Sequence, residues 1–282
     1  MTGAPQLPPP TWFVGCGNMG QAIVAGWRSA GLDLANLVVI DPAVPAVEGV
    51  RTVKAFAEAG APPKLVILGF KPQKLDEVAA QLKTWLTSKA VVVSMLVGVE
   101  VASLKQRFPK AAALVRAMPN LPVSIRRGVV ALYSDDADDT QRKQLAELFA
   151  PLGFAPWMPD EIKLGAVGSL AGAGPAYVAR FIDALRKAGE EWGLSTEIAS
   201  VVALETVLGT AWMAATTGET MDAIVGRVAS PKGTTQAGLA VLERDSVLDQ
   251  LVSVTIEAAA RRAAELAAEA EAGSLAGAAL LH

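Results

Sequence analysis

Three observations predict an α/β chain with an N-terminal Rossmann-like, doubly wound sheet followed by an all-helical C-terminal domain. Between Thr11 and about residue 160, short apolar runs alternate with amphipathic helical patterns. The first of those runs ends in Gly15-Cys16-Gly17-Asn18-Met19-Gly20, a G-x-G-x-x-G turn that leads straight into a helical pattern. From Lys163 onward the strand pattern stops and helical spacing takes over. The boundaries expected are 11–160 for the dinucleotide-binding domain and 161–272 for the helical one.

Each element has its own signal. TWFVG is a short apolar strand closed by a glycine turn. NMGQAIVAGWRSAGL places Met19, Ile23 and Trp27 on one helical face and stops at Gly31, a residue suited to a helix C-terminus. LVVI is a second strand. KLVILGF is a third, with the continuous apolar character of a strand buried on both faces. PQKLDEVAAQLKTWL opens with proline at a helix start and aligns Leu75, Val78, Leu82 and Leu86. AVVVSML, AALVRAM and GVVALY follow as strands, with VEVASLKQRF and DTQRKQLAELFAPLG as helices. Beyond them, EIKLGAVGSLAGAGPAYVARFIDALRKAGEEWGL reads as a long helix with Pro175 inside it. STEIASVVALETVLGTAWMAATTG opens with Ser195 or Thr196 as N-cap and ends at Gly218. TMDAIVGRVAS is shorter, the stretch after it carries two more helices, and GSLAGAALLH is expected to be a loose end.

Composition narrows the chemistry. The chain has 282 residues, of which 52% are hydrophobic and 19% charged, enough apolar material for one large or two ordinary domains. A net charge of −3 without a basic face argues against nucleic-acid binding. The single cysteine, Cys16, excludes an internal disulfide framework and points to a reducing, cytoplasmic compartment. The start, MTGAPQLPPP, reads as a flexible proline-rich lead-in. The longest uncharged run, between Lys163 and Arg180, is glycine-rich and too short for a bilayer span, so no membrane partner is expected. The only histidine is the terminal His282, which removes histidine triads, histidine metal sites and an imidazole base from consideration. No metal is expected, and a bound cofactor is the natural carrier of any chemistry.

The motifs say which cofactor. In the first loop Gly15 permits the tight turn, Gly17 lets backbone approach a pyrophosphate, and Gly20 lets helix pack on strand. The N–H groups around Asn18 and Met19 then face the phosphates. Cys16 is a small loop residue rather than a nucleophile, since no histidine is available to activate it. Asp41 ends the second strand about twenty residues on, where an acid accepts from ribose hydroxyls and repels a 2′-phosphate. It is followed by Pro42, Ala43 and Val44, with no arginine, which favours NAD over NADP; an Asp-Pro turn is the plain alternative. Lys71-Pro72 and Met118-Pro119-Asn120 follow strands in the position where open α/β sheets bind ligands. There Lys71 supplies a cation near phosphate or ribose, while Asn120 anchors a carboxamide or shapes the substrate mouth; ordinary X-Pro turns remain the alternative. Late in the chain, SPKGTTQAG crowds Ser230, Thr234, Thr235 and Gln236 around Lys232 and Gly233. Thr234 or Thr235 is expected to cap the following helix. A helix start with spare hydroxyls also suits a small carboxylate.

Taken in order, FVGCGNMGQAI, FKPQ, VRAMPNLP, GAGPAYV and SPKGTTQAGLAVLE resemble the pyrroline-5-carboxylate reductases over nearly the whole chain. The resemblance implies a Rossmann domain followed by a helical dimerisation domain, with assembly into dimers and larger rings. It implies reduction of 1-pyrroline-5-carboxylate to L-proline with NADH or NADPH. It places Gly15, Cys16, Gly17, Asn18, Met19, Gly20, Asp41, Lys71, Pro72, Met118, Pro119 and Asn120 at the cofactor. Ser230, Lys232, Gly233, Thr234 and Thr235 fall at the substrate, with Thr235 hydrogen-bonding the ring nitrogen. The sequence departs from the family pattern at Lys232, where SPGGTT is usual, and at Ala173, where GSGPAY is usual. The segment from Asp41 to Arg51 is also short. Two rival readings are a β-hydroxyacid dehydrogenase and a non-catalytic nucleotide-binding protein. The first expects an asparagine one turn past its lysine, and Lys163 is followed by Leu164, Gly165 and Ala166. The second leaves the hydroxyl-rich loop without a use.

Overall fold

The computed structural model describes residues 6–43 and 46–279; Val44 and the terminal His282 lie outside them. The chain forms two compact units, Met1–Ala173 with Ala259–His282 and Gly174–Ala258. The first is built on strands β1 (Thr11–Val14), β2 (Leu37–Ile40), β3 (Arg51–Val53), β4 (Leu65–Leu68), β5 (Val91–Ser94), β6 (Ala113–Pro119), β7 (Gly128–Tyr133) and β8 (Gly153–Phe154). They make one sheet in the order β3-β2-β1-β4-β5-β6-β7-β8. The chain steps outward from β1 to β3 and then returns to the other side with β4. The switch point of this doubly wound sheet therefore lies between β1 and β4.

Helices α1 (Asn18–Ser29), α2 (Leu75–Leu82), α3 (Val101–Arg107) and α4 (Asp139–Phe149) cover the sheet. Alternate residues of each strand point to opposite faces, and both faces are buried. Phe13, Val39 and Ile67 join Ile23, Trp27 and Phe149 on one side. Trp12, Val38, Val66 and Leu68 join Leu82 and Phe108 on the other. Trp27 is fully buried and its indole N–H donates to the Leu148 carbonyl at 2.9 Å, which ties α1 to α4. The expected stop of α1 holds: Gly31 takes φ +78°, and the N–H groups of Gly31 and Leu32 close onto Arg28 and Trp27 carbonyls.

Several expectations need correction. The strands are not all parallel: β7 runs antiparallel to β6, because the link from Asn120 to Arg127 holds only a five-residue 3-10 turn and is too short for a crossover helix. Strands β3 and β8 carry no sequence signal, being three and two residues long. Helix α2 ends at Leu82, four residues short of Leu86, and is entered through a 3-10 turn, Pro72–Lys74. The lead-in is laid against the sheet from Leu7, which is buried, and the Thr11 hydroxyl donates to the Pro8 carbonyl at 2.6 Å.

The long helix predicted around Pro175 is two helices. α5 (Glu161–Val167) runs into a π-helical turn, Gly168–Gly172, and α6 (Gly174–Glu191) starts afresh. Pro175 thus sits in a first turn, where its missing N–H has no helical partner to lose. α7 (Thr196–Thr217), α8 (Met221–Val228), α9 (Thr234–Leu242) and α10 (Val247–Ala279) complete the chain. Ser195 and Thr220 cap α7 and α8, and Gly218 ends α7 at φ +72°. α10 continues to Ala279, into the stretch expected to be a loose end, whose last three residues lie outside the described ones. In the second unit α6 and α7 leave large apolar side chains exposed, among them Val201, Leu204, Leu208 and Trp212. Helix α7 is long and apolar enough to cross a membrane by length and composition.

Candidate functional site

The carboxyl ends of β1, β2 and β4 converge on the glycine loop. Gly15 takes φ +79°, and a Cβ there would lie 2.6 Å from Phe70 Cβ, so only glycine fits between the β1 and β4 loops. The Gly69 N–H donates to Val14 and the Gly15 N–H to Ile40, which sews the three strand ends together. Gly17 is different: a Cβ there would meet nothing within 4 Å. No packing demands glycine at that position. What its small size keeps open is the mouth of α1, where Gly17 is the N-cap, no side chain caps the N–H groups, and the first turn carries no acid. Asn18 and Gly17 are exposed there, and Met19 half-buried. Such a mouth attracts an anion through its N–H groups and the helix dipole. These features fit a dinucleotide pyrophosphate.

Asp41 joins the glycine loop to β2. Its carboxylate accepts the Cys16 N–H at 2.8 Å and the Ala43 N–H at 2.9 Å. The N–H of Cys16 is therefore engaged by protein, while those of Asn18, Met19 and Gly20 open an α1 start that no side chain caps. The Cys16 thiol is fully buried, and burial, reinforced by the Asp41 charge, pushes its pKa up to about 12. A thiol so hard to ionise is inert, as its reading as a packing residue requires.

Lys71 stands at the carboxyl end of β4, exposed, with no hydrogen bond or ion pair to its ammonium among the described residues. Pro72 starts the 3-10 turn behind it. Farther along the sheet edge, Met118 packs against Gly168 of the π-helical turn. Asn120 is 7% exposed and committed at both ends: Oδ1 accepts the Val129 N–H at 2.8 Å, and Nδ2 donates to the Ala171 carbonyl at 3.1 Å. The sequence reading missed two features here. One is the pair of Arg116, 7% exposed, and Glu161 at 2.7 Å. The other is the π-helical turn, whose only signal is the run Gly165, Gly168 and Gly172 inside a helical pattern.

The substrate-loop residues belong to the second unit. The Gly233 N–H donates to the Ser230 carbonyl at 3.0 Å, closing a turn with Pro231 and Lys232 at its centre. Lys232 takes φ +58°, the position in such a turn that favours glycine. A Cβ at Gly233 would collide with Ser230 Oγ. The capping expectation is corrected: Gly233 is the N-cap of α9, and Thr234 and Thr235 are its first two residues. Gln236 reaches back instead, its Oε1 accepting the Lys232 N–H at 2.7 Å. Helical threonines elsewhere bond the carbonyl four residues back, as Thr206 does to Val202 and Thr210 to Thr206. Thr234 and Thr235 have no helical carbonyl behind them, so neither hydroxyl is bonded among the described residues, nor is that of Ser230.

Comparison with known proteins places this arrangement. A Pseudomonas aeruginosa pyrroline-5-carboxylate reductase is 34% identical over 90% of this chain and 96% of its own. The chain belongs to the pyrroline-5-carboxylate reductase family. A Synechocystis reductase of the same name is 37% identical over 77% of this chain and 80% of its own. Residues 161–266 match the family model described as pyrroline-5-carboxylate reductase dimerisation, and residues 12–98 the one described as NADP oxidoreductase, coenzyme F420-dependent. A solved Coxiella burnetii pyrroline-5-carboxylate reductase superposes with TM-score 0.84 at 32% identity, covering 92% of this chain and 98% of that one. A Plasmodium falciparum pyrroline carboxylate reductase with NADP bound shares the fold at TM-score 0.81 and 24% identity, over 93% and 99% of the chains. As a member of this reductase family, the chain is an NAD(P)H-dependent oxidoreductase acting on a small molecule. Its exposed apolar helix faces, α7 included, lie in a self-association region.

Proposed function

We propose that the chain reduces 1-pyrroline-5-carboxylate to L-proline at the expense of NADH or NADPH, closing proline biosynthesis, and that its motif residues divide the work. The observation that carries the assignment is the Ser230–Thr235 loop: three unbonded hydroxyls at an uncapped helix start, on a chain of this family. A five-membered cyclic imine bearing a carboxylate offers one anion and one nitrogen to be held. Ser230, Gly233 and Thr234 hold the carboxylate through hydroxyls and N–H groups. The Thr235 hydroxyl bonds the ring nitrogen, and Lys232 adds a cation beside the carboxylate.

No titrating side chain is needed. Water protonates the imine nitrogen, which makes the imine carbon C2, the carbon that becomes C5 of proline, electrophilic before hydride arrives. A bound reduced nicotinamide would supply a hydride to that carbon, turning the C=N bond into C–N and leaving the nitrogen its proton as an amine. What the chain contributes is position. Gly15, Cys16, Gly17, Asn18, Met19 and Gly20 form the pyrophosphate turn, Lys71 and Pro72 flank it, and Met118-Pro119 borders the nicotinamide side. Asp41 stands where an acid meets the ribose hydroxyls and disfavours a 2′-phosphate, so NADH is the preferred donor. The working form is a dimer or a larger ring of dimers in the cytoplasm, with 11–160 and 161–272 as its functional domains.

Steady-state rates with both cofactors and pyrroline-5-carboxylate test the reading. Substrate-dependent oxidation with a higher kcat/KM for NADH is expected. Absence of oxidation with either donor overturns the activity, and a strong NADPH preference overturns the role given to Asp41.

A further inference from the structure

The end of β6 grips the segment behind it with every second residue. Arg116 Nη1 donates to Glu161 Oε1 at 2.7 Å, and the same oxygen accepts the Val101 N–H at 3.0 Å. Met118 carbon and sulfur atoms lie 3.2 Å from where a Cβ on Gly168 would stand. Asn120 Nδ2 donates to the Ala171 carbonyl at 3.1 Å. Arg116, Met118 and Asn120 are two apart along extended backbone, so they share one face of the strand. Their targets follow in the same order along Glu161–Gly172, first α5 and then the π-helical turn.

A π-helical turn holds one residue more than the α-helix it interrupts, and such turns are short and cluster at functional sites. Bonds from outside the helix help to hold it. Asn120 provides one such bond, and its Oδ1 bond to Val129 fixes which way the amide points. Losing the donor lets the turn relax toward α, which rotates the residues after it by roughly 100° and shifts them about 1.5 Å along the axis. Met118, the cofactor-side residue, rests on that turn at Gly168.

We infer that Asn120 is a positioning residue: by holding the Ala171 carbonyl it fixes the π register of Gly168–Gly172, and through that turn it sets the placement of Met118 on the nicotinamide side. It does not anchor the carboxamide, as the sequence alone had allowed. This rests on the reductase reading for its catalytic consequence, and on the two hydrogen bonds for its structural one.

The test uses the full chain carrying Asn120→Asp, which keeps an acceptor for Val129 and loses the donor to Ala171. Asn120→Ser takes its place if that variant does not fold. Three quantities are read: amide hydrogen exchange, the dinucleotide Kd by fluorescence titration, and kcat with pyrroline-5-carboxylate. Expected are exchange faster by about tenfold in 168–173 alone, an unchanged dinucleotide Kd, and kcat lower by about 100-fold. Glu161→Gln, which loosens the start of α5, should leave exchange at 168–173 as in the parent chain. A weakened dinucleotide Kd with unchanged exchange would make Asn120 a cofactor ligand and overturn the inference. Faster exchange with unchanged kcat would reduce it to a structural bond and also overturn it. A parent chain without reductase activity would sink the reductase reading instead, and exchange at 168–173 would still decide the register claim.

Discussion

A single hydroxyl decides little in a protein unless it has nothing else to bind. Thr235 is in that state because it stands second in α9, where no helical carbonyl lies four residues behind it. Thr235→Ala should therefore leave folding and dinucleotide binding unaltered while kcat/KM for the imine falls about 10- to 100-fold, the worth of a hydrogen bond to a charged group. A fully active variant would show that the loop does not hold the nitrogen. Lys232 makes a second case. At φ +58° a lysine costs roughly 1 kcal/mol or more, and glycine relieves it. Lys232→Gly is expected to raise the melting temperature slightly while raising KM for the carboxylate substrate, most clearly at low salt. Cys16 sets an alkaline limit. Its neutral thiol is favoured in the fold up to about pH 12, whereas the unfolded thiol, with an ordinary pKa of 9.0, ionises earlier. Its contribution is thus intact below pH 9 and is lost as pH climbs from 9 toward 12. Denaturant titrations in that range should show a decline in the parent that Cys16→Ala lacks.

Elements were legible where one physical demand set them. The strands β1, β2, β4 and β5 read plainly because burial on both faces leaves them apolar but for Thr11 and Ser94 at strand ends. The glycine loop read plainly because the β1–β4 approach tolerates nothing larger than Gly15. Where a tertiary bond makes the choice, sequence pattern is silent. The π-helical turn depends on Asn120 and Ala171, fifty-one positions apart, and the local run of glycines does not by itself specify it. The direction of β7 depends on the shortness of its link to β6, which becomes visible only once both strands are paired. Thr234 and Thr235 were expected as caps because threonine caps well, yet the Ser230–Gly233 turn places Gly233 there and sets the hydroxyls one step inside. α4 offers a clean check on element energetics. Its N-cap Asp138 accepts the Gln141 N–H at 2.8 Å, and Gln141 accepts the Asp138 N–H in return. Asp138→Ala should cost about 1 kcal/mol in denaturant unfolding, without changing kcat.

At the scale of the molecule, the helical unit explains a surface that a lone chain would not keep. Val201, Leu204, Leu208 and Trp212 are each half-exposed or more on α7, in a region matching a dimerisation family. Apolar side chains this concentrated are suited to burial against another copy. Leu208→Glu should shift sedimentation toward monomer and lower activity with it; an unshifted oligomer would remove α7 from the contact. The proposed reaction is a single hydride transfer from the nicotinamide to the imine carbon of 1-pyrroline-5-carboxylate. Nicotinamide dinucleotide deuterated at C4 on the transferred face tests it most directly. Mass and NMR analysis of the product should find L-proline carrying deuterium at C5, formed in step with cofactor oxidation. Proline without the label, or cofactor oxidised with no proline formed, would contradict it.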